Sequence, residues 1–404
     1  MAKIRFEAGK KEDPRKTQMQ SQIADTSVVQ KVDGVIEKAL ELEATDIHFE
    51  PSGDEVLVRG KVHGEFQQIE TFPGQLLGKI INRIKILSAM DITNTKHPQS
   101  GFFKVVTDES KIEILSYTFP TIRGEKAVLN IQYTKGVTHS LEDLGMIPTM
   151  LETFRESLNK QNGLIVVAGP PGNGKNTTLY ACLQYLNSPT KSLATFEPMV
   201  KYELAGVTQG KPDEKSDFTF EEGVRGIINT NPDVLLIGEV QTPEVAKMTV
   251  QAAFGKRIVL ARMSSNSAIG ALQNFIDMGI QPFLVSSAIN TILAQRLARK
   301  LCEKCKEEYV APNQLIQELG LKPGILFYKP KGCEECHNTG YNGFIGIFEL
   351  LTMGDEIREM VIGRESPKRI QERARQLGMI ELKKDGIYKA VKGITSIEEA
   401  LNVL

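Results

Sequence analysis

The stretch Leu164-Ile165-Val166-Val167-Ala168-Gly169-Pro170-Pro171-Gly172-Asn173-Gly174-Lys175-Asn176-Thr177-Thr178-Leu179-Tyr180 constrains the fold more than any other part of the chain. A branched apolar run ends at a Gly/Pro-rich turn, and the turn opens into a helix-compatible segment, 177–186. Strand, tight loop and helix in that order make a phosphate loop. Its glycines let backbone N–H groups curl around phosphate oxygens at a helix N-terminus, and Lys175 reaches the β and γ phosphates as a point charge. Gly169, Gly172, Asn173, Gly174, Lys175, Asn176 and Thr177 are therefore the candidate nucleotide contacts. The glycine and lysine spacing is complete, but the next position, which normally gives Mg²⁺ a Ser or Thr hydroxyl, is Asn176.

At 404 residues the chain has room for two or three domains, each with a sizeable core. Forty-nine basic residues against fifty acidic ones give a net charge of −1, which offers nothing to nucleic acid or an anionic membrane surface. No apolar run approaches the roughly 20 residues that span a bilayer, and the N-terminus lacks the apolar core of a signal peptide. A cytoplasmic location is expected.

Residues 1–26 are polar, with almost no apolar periodicity, and are expected to form a mobile arm. A first α+β domain, 27–135, follows. In it, helical spacing over 28–43 and 76–87 flanks alternating segments at 46–50, 55–62, 65–69, 111–118 and 127–133 that read as strands. A linker, 136–147, leads to the second domain, 148–404, which opens on a helix at 148–159. Strands at 192–196, 234–237 and 257–261 alternate with helices, the pattern of a mainly parallel sheet. Val234 to Ile237 is four consecutive branched apolar residues leading to Gly238-Glu239, as in a strand buried on both faces. A helix is expected over 286–301, and further helices over 356–404.

Four of the five cysteines form two pairs, Cys302-Glu303-Lys304-Cys305 and Cys333-Glu334-Glu335-Cys336, inside a segment 302–336. Two Cys-x2-Cys turns of this kind make a tetrahedral structural Zn²⁺ site in the manner of a zinc ribbon, with no open coordination position. His337 is expected to face solvent, and Cys182 to be core.

In this order the pieces resemble the ATPases of type II secretion and type IV pilus assembly. Asp46-Ile47-His48-Phe49-Glu50-Pro51 is similar to the family's S-D-I-H-I-E-P, and Thr118-Phe119-Pro120-Thr121 and Gly124-Glu125-Lys126 are similar to T-L-P-T and G-E-K. Residues 168–180 resemble G-P-T-G-S-G-K-S-T-T-L-Y. Ile237-Gly238-Glu239 resembles the Walker B ending, Ala294-Gln295-Arg296-Leu297 resembles A-Q-R-L, and Leu382-Lys383-Lys384-Asp385-Gly386 resembles L-x-x-D-G. The resemblance implies a RecA-like ATPase domain with a four-cysteine zinc subdomain, preceded by a smaller PAS-like α+β domain. It also implies ATP and Mg²⁺ as ligands, a hexameric ring, and docking on an inner-membrane platform protein from the cytoplasmic side. Since only the arm precedes residue 27, the family's N-terminal docking domain is expected to be absent.

Against that family the chain departs at several positions around the γ phosphate. Lys175 and Glu239 are kept, the latter as the carboxylate for the attacking water, and Glu197 matches the first acidic residue of T-I-E-D-P. Pro198 and Lys201 replace later acids of that box. Arg225 keeps one arginine, but Asn229 replaces the next. The sensor histidine of T-L-H-T-N is Ser264 in Arg262-Met263-Ser264-Ser265-Asn266, and the first domain's arginine positions read Phe102, Leu115 and Asn130. Arginine fingers are worth on the order of 10³ to 10⁵ in rate, about 4 to 7 kcal/mol. Asn176 can still offer Mg²⁺ an amide oxygen, and Arg59 or Arg123 can serve in place of the lost arginines. Three readings stand: a nucleotide-binding ring subunit with weak or absent hydrolysis, alone or mixed with an active paralogue; a slow motor using Glu197 and Glu239; and a scaffold that binds no nucleotide.

Overall fold

The structure, a computed structural model, describes residues 5–8, 26–106, 111–132, 139–213 and 216–404. The chain divides into two compact units, 1–136 and 137–404.

The first unit runs β1 (Arg5–Ala8), α1 (Thr26–Glu41), β2 (Asp46–Ser52), β3 (Glu55–Val62), β4 (Glu65–Pro73), α2 (Leu77–Leu87), β5 (Gln99–Val106), β6 (Lys111–Thr121) and β7 (Gly124–Gln132). Its strands form one antiparallel sheet in the order β1-β5-β6-β7-β2-β3-β4. Buried and less buried residues alternate along β3 and β7, so one face is apolar. Val32, Ile36 and Ala39 of α1 and Ile80 and Ile84 of α2 pack on that face against Ile47, Phe49, Val58, Phe103, Ile114 and Leu129. Most of the expected arm lies outside the described residues. Arg5–Ala8 departs from the expectation: it adds an edge strand to β5, with the Phe6 and Phe103 rings 6.3 Å apart. An open sheet edge and one aromatic contact suffice for such an addition.

The second unit runs α3 (Pro148–Leu158), β8 (Gly163–Ala168), α4 (Lys175–Leu186), β9 (Leu193–Phe196), β10 (Val207–Gly210), α5 (Phe220–Asn229), β11 (Val234–Ile237), α6 (Pro243–Ala252), β12 (Ile258–Met263), α7 (Ala268–Asp277), α8 (Pro282–Ala288) and β13 (Ile289–Leu301). It continues through β14 (Glu307–Val310), α9 (Asn313–Glu318), β15 (Leu326–Lys329), β16 (Tyr341–Thr352), α10 (Asp355–Ile362), α11 (Pro367–Gln376), α12 (Leu382–Val391) and α13 (Ile397–Asn402). A sheet ordered β10-β9-β11-β12-β8-β13-β16 is parallel except for β16, which runs antiparallel to β13. Every residue of β8, β9 and β11 is buried, as a central sheet covered on both faces requires. β14 and β15 pair as a separate ribbon.

The helix expected over 286–301 is not formed. α8 stops at Ala288, and Ile289–Leu301 is a 13-residue strand pairing with β8 on one side and β16 on the other. Ile289, Ile292, Leu293 and Leu301 fall at spacings that imitate a helical stripe. The first eight residues of β13 are buried whichever way they point, so the alternation that marks a strand is missing and tertiary pairing decides.

Candidate functional site

β8 ends at Ala168 opposite Ala294 of β13, and residues 169–174 turn the chain into α4. The backbone of this turn demands glycine at three points. Gly172 and Gly174 have φ of 76° and 72°, left-handed conformations that favour glycine. At Gly169 a Cβ would come within 2.7 Å of the Gln295 carbonyl oxygen, so the loop passes directly under β13. Gln295 then stitches the loop in place: its amide donates to the Asn173 carbonyl at 2.5 Å and its Oε1 accepts from Thr178 at 2.7 Å. Leu297 N–H donates to the Asn173 side chain at 2.8 Å. Gln295 is buried; the sequence showed it only as part of a motif, with no sign of this role.

Lys175 is the first residue of α4, with Asn176 and Thr177 half-buried after it. Its ammonium donates to the carbonyls of Gly169 and Pro170, each at 2.6 Å. Burial, and secondarily the nearby Arg262 cation, push its pKa down to about 8. Thus the loop is a built anion cradle: glycine-only turns, a helix N-terminus and a lysine already inside.

The ends of the neighbouring parallel strands carry the two candidate carboxylates. Glu197 follows β9 and is buried; it accepts from Tyr180 at 2.9 Å and Thr195 at 2.8 Å. Burial raises its pKa against these hydrogen bonds. Gly238 is glycine because a Cβ there would come within 2.6 Å of Glu197 Cα. Glu239 comes next and is half-buried. Its partner was not anticipated. Ile237 pairs with Ala261, so the following residue of β12, Arg262, reaches both sites: its guanidinium donates to Glu239 Oε2 at 2.8 Å and to Asn176 Oδ1 at 3.0 Å. The two oxygens that would flank a Mg²⁺ ion thus hold a guanidinium, at hydrogen-bond distance. As arranged they do not fit the ion, whose ligands stand at about 2.0–2.1 Å.

The other departures fall where the register shows a pattern. Phe102 pairs with Leu115, Leu115 with Asn130, and Asn130 with Asp46. These positions form one row across β5, β6, β7 and β2, alternating with the buried residues and so on the face away from α1 and α2. Arg59, an alternative source of charge, is engaged by Glu50 at 2.6 Å; Arg123 is exposed. Lys126 also donates to Glu50 at 2.6 Å, and despite burial these contacts hold that carboxyl at about 2. Ser264 and Arg225 are exposed.

Cys302, Cys305, Cys333 and Cys336 come together, their sulfurs all within 4.8 Å of one another. The pairs Cys302–Cys333, Cys305–Cys336 and Cys333–Cys336 stand 3.8, 3.8 and 3.7 Å apart. That is about the edge of a tetrahedron centred about 2.3 Å from each sulfur, the Zn–thiolate geometry. Backbone N–H groups of Gly332, Cys333 and Gly340 point at the sulfurs at 3.2–3.3 Å. The donor set fits Zn²⁺, and it would be structural. Half-buried His337 stands outside the cluster, and Cys182 is buried in α4.

A family model described as "Type II/IV secretion system protein" matches residues 21–402. The chain belongs to this family. It is 36% identical over 381 residues to the type II secretion system protein E of Dickeya dadantii, covering 94% of this chain and 76% of that protein. It is also 36% identical over 382 residues to the type IV pilus assembly ATPase PilB of Thermus thermophilus, covering 93% of this chain but only 43% of that one. Among solved structures, the Legionella pneumophila ATPase DotB superposes with a TM-score of 0.67 at 15% identity, over 92% of this chain and 94% of the other. The pilus retraction motor PilT with bound ADP gives 0.63 at 18%, over 92% and 96%. At these identities the two structures speak for the α/β fold alone. Among the described residues no helix is long and apolar enough to cross a membrane.

Proposed function

We propose that this chain is a nucleotide-binding ring subunit of a type II secretion or type IV pilus assembly machine, with weak or absent hydrolysis. The observation that carries this reading is the ion pair between Glu239 and Arg262. The carboxylate that would orient or deprotonate an attacking water is already ion-paired, its oxygen engaged by the Arg262 guanidinium at 2.8 Å. Support comes from the row Phe102, Leu115 and Asn130, which offers no cation, and from Ser264 in place of an imidazole. The loop, with Lys175 and its Gln295 clamp, keeps what nucleotide binding needs.

On this reading the second unit is a RecA-like domain with a Zn²⁺-bound subdomain, and the first is PAS-like. The subunit sits in a homo-hexamer or a mixed ring with an active paralogue, at the cytoplasmic face of the inner membrane, against a platform protein. Phosphate release with Mg²⁺ and ATP tests the reading. Turnover is expected below about one per second, the low end of ordinary enzymes. Turnover above that, lost in Lys175→Ala, would identify a working motor using Glu197 and Glu239. Absence of calorimetric ATP binding would leave a scaffold.

A further inference from the structure

In phosphate-loop NTPases a divalent cation is held between the hydroxyl following the loop lysine and a carboxylate at the end of a nearby strand, and it bridges the β and γ phosphates. Here Asn176 follows the loop lysine and Glu239, the carboxylate facing the attacking water, also stands at the strand end where such an ion would be flanked; the two share one guanidinium, that of Arg262. We propose that Arg262 takes the place of Mg²⁺ in this site, so that nucleoside di- and triphosphates bind without a divalent cation. The inference rests on the chain binding nucleotide at all, and it goes further by naming the form of that nucleotide.

Three features of the geometry carry it. First, the two distances, 3.0 and 2.8 Å, are those of charge-assisted hydrogen bonds. A metal would need both oxygens far closer, with the guanidinium withdrawn from between them. Second, where a bound ion is exchangeable, a guanidinium carried on the chain itself is a fixed cation. Its Nε–H is buried with no protein partner among the described residues, which leaves a donor available for a phosphate oxygen. Arginine suits that task because its planar fork matches phosphate oxygens in pairs. Third, the site gathers Lys175, Arg262 and Arg296, and the repulsion of the two arginines adds to the burial that lowers Lys175, against the attraction of Glu239. Polyphosphate relieves that repulsion, whereas a further dication would add to it.

The register explains why this replacement is possible. β12 lies between β11 and β8, so Arg262 follows the strand that separates the carboxylate strand from the loop strand. From there one side chain spans both. A short residue at 262 would leave Asn176 and Glu239 facing each other without a cation.

The full chain titrated with ADP and with ATP by calorimetry, once in Mg²⁺ and once in EDTA, decides the matter. The expected result is that dissociation constants in the two buffers agree within about threefold. Arg262→Ala is expected to weaken binding in EDTA by about tenfold or more, and the double variant Asn176→Ser/Arg262→Thr to bind about tenfold more tightly with Mg²⁺ than without. Native protein that binds about tenfold more weakly in EDTA overturns the inference while leaving the nucleotide reading intact; this comparison needs no variant, so misfolding cannot confuse it. Arg262→Ala that folds normally and binds unchanged in EDTA also overturns it. Failure of both nucleotides to bind in either buffer removes the nucleotide reading and the inference together.

Discussion

Lys175 shows how a single side chain converts loop geometry into a measurable pH response. Its ammonium lies against two carbonyls and close to Arg262, Glu239 and Arg296, and burial with the two arginines brings its pKa to about 8. Phosphate oxygens favour the charged form, so the pKa with nucleotide bound lies above that of the free protein. The sign follows: affinity is full below about pH 8 and falls as pH rises, by up to about tenfold per unit, until the bound-state pKa is reached. A series of ADP titrations from about pH 7 to 9.5 checks this, and a flat profile would show that Lys175 does not titrate against the ligand. The lysine and its glycines were legible in sequence because they act at fixed local spacing. Arg262 was not, since its partners lie 86 and 23 positions away and only the pairing of β12 with β8 on one side and β11 on the other brings them together. Read in sequence, Asn176 is a weaker Mg²⁺ ligand and Ser264 a lost imidazole. In the structure the first is part of a new contact.

At the level of elements, the helices expected over 28–43, 76–87, 148–159 and 177–186 and the short buried strands β8, β9 and β11 followed from apolar pattern and length, whereas β13 did not. Burial on two faces erased its alternation, and its helix-like spacing misled. β5 also went unread, because Gln99, Ser100 and Gly101 start it with polar and small residues and the chain before it has no periodic signal. Family motifs also changed meaning once placed. Asp385 of the L-x-x-D-G segment accepts from Phe348 N–H at 2.7 Å and pairs with buried Lys389, so it ties α12 to β16. Glu349 accepts from Ala268 N–H at 2.8 Å at the start of α7. The cysteine cluster is the element-scale feature with the clearest consequence. It joins the end of β13, the turn after β15 and the approach to β16 by four thiolates, and little apolar core surrounds those turns. About one Zn²⁺ per chain is expected by metal analysis of protein made without chelator. Structural zinc is worth on the order of 10 kcal/mol in small domains, so chelation or Cys336→Ser should unfold the 302–340 region, read as lost amide protection there with β8 and β11 retained. Less than about half an equivalent of metal would rule the site out.

For the molecule as a whole, the decisive question is what it associates with. The chain spans 43% of the pilus ATPase it matches in Thermus thermophilus and 76% of the secretion protein it matches in Dickeya dadantii, so partner contacts made by the rest of those proteins cannot be carried over. The row Phe102, Leu115 and Asn130 bears on this. Three positions in register on neighbouring strands, where the family resemblance leads us to expect cations, carry two apolar residues and an amide. On the proposed function, a whole row without cations is the loss of one function from one face. A ring made only of this chain would then have no source of those arginines. In a mixed ring, an active paralogue would keep its own loop, base and arginines, and each junction would work or fail according to which subunit stands on which side. Co-expression with an active paralogue from the same cell, with affinity capture on this chain alone, is therefore expected to recover both proteins in one ring-sized species. Its turnover per active subunit should differ from that of the paralogue alone. Restoring cations with Phe102→Arg, Leu115→Arg and Asn130→Arg should shift the mixed species toward the paralogue's own rate and leave the hydrolysis of this chain by itself low, because Glu239 stays paired with Arg262. Arginine contributions of this kind reach on the order of 10³ in rate, so even partial rescue would be resolved. Capture of this chain free of any paralogue, at concentrations where the paralogue forms its own ring, would set the mixed ring aside.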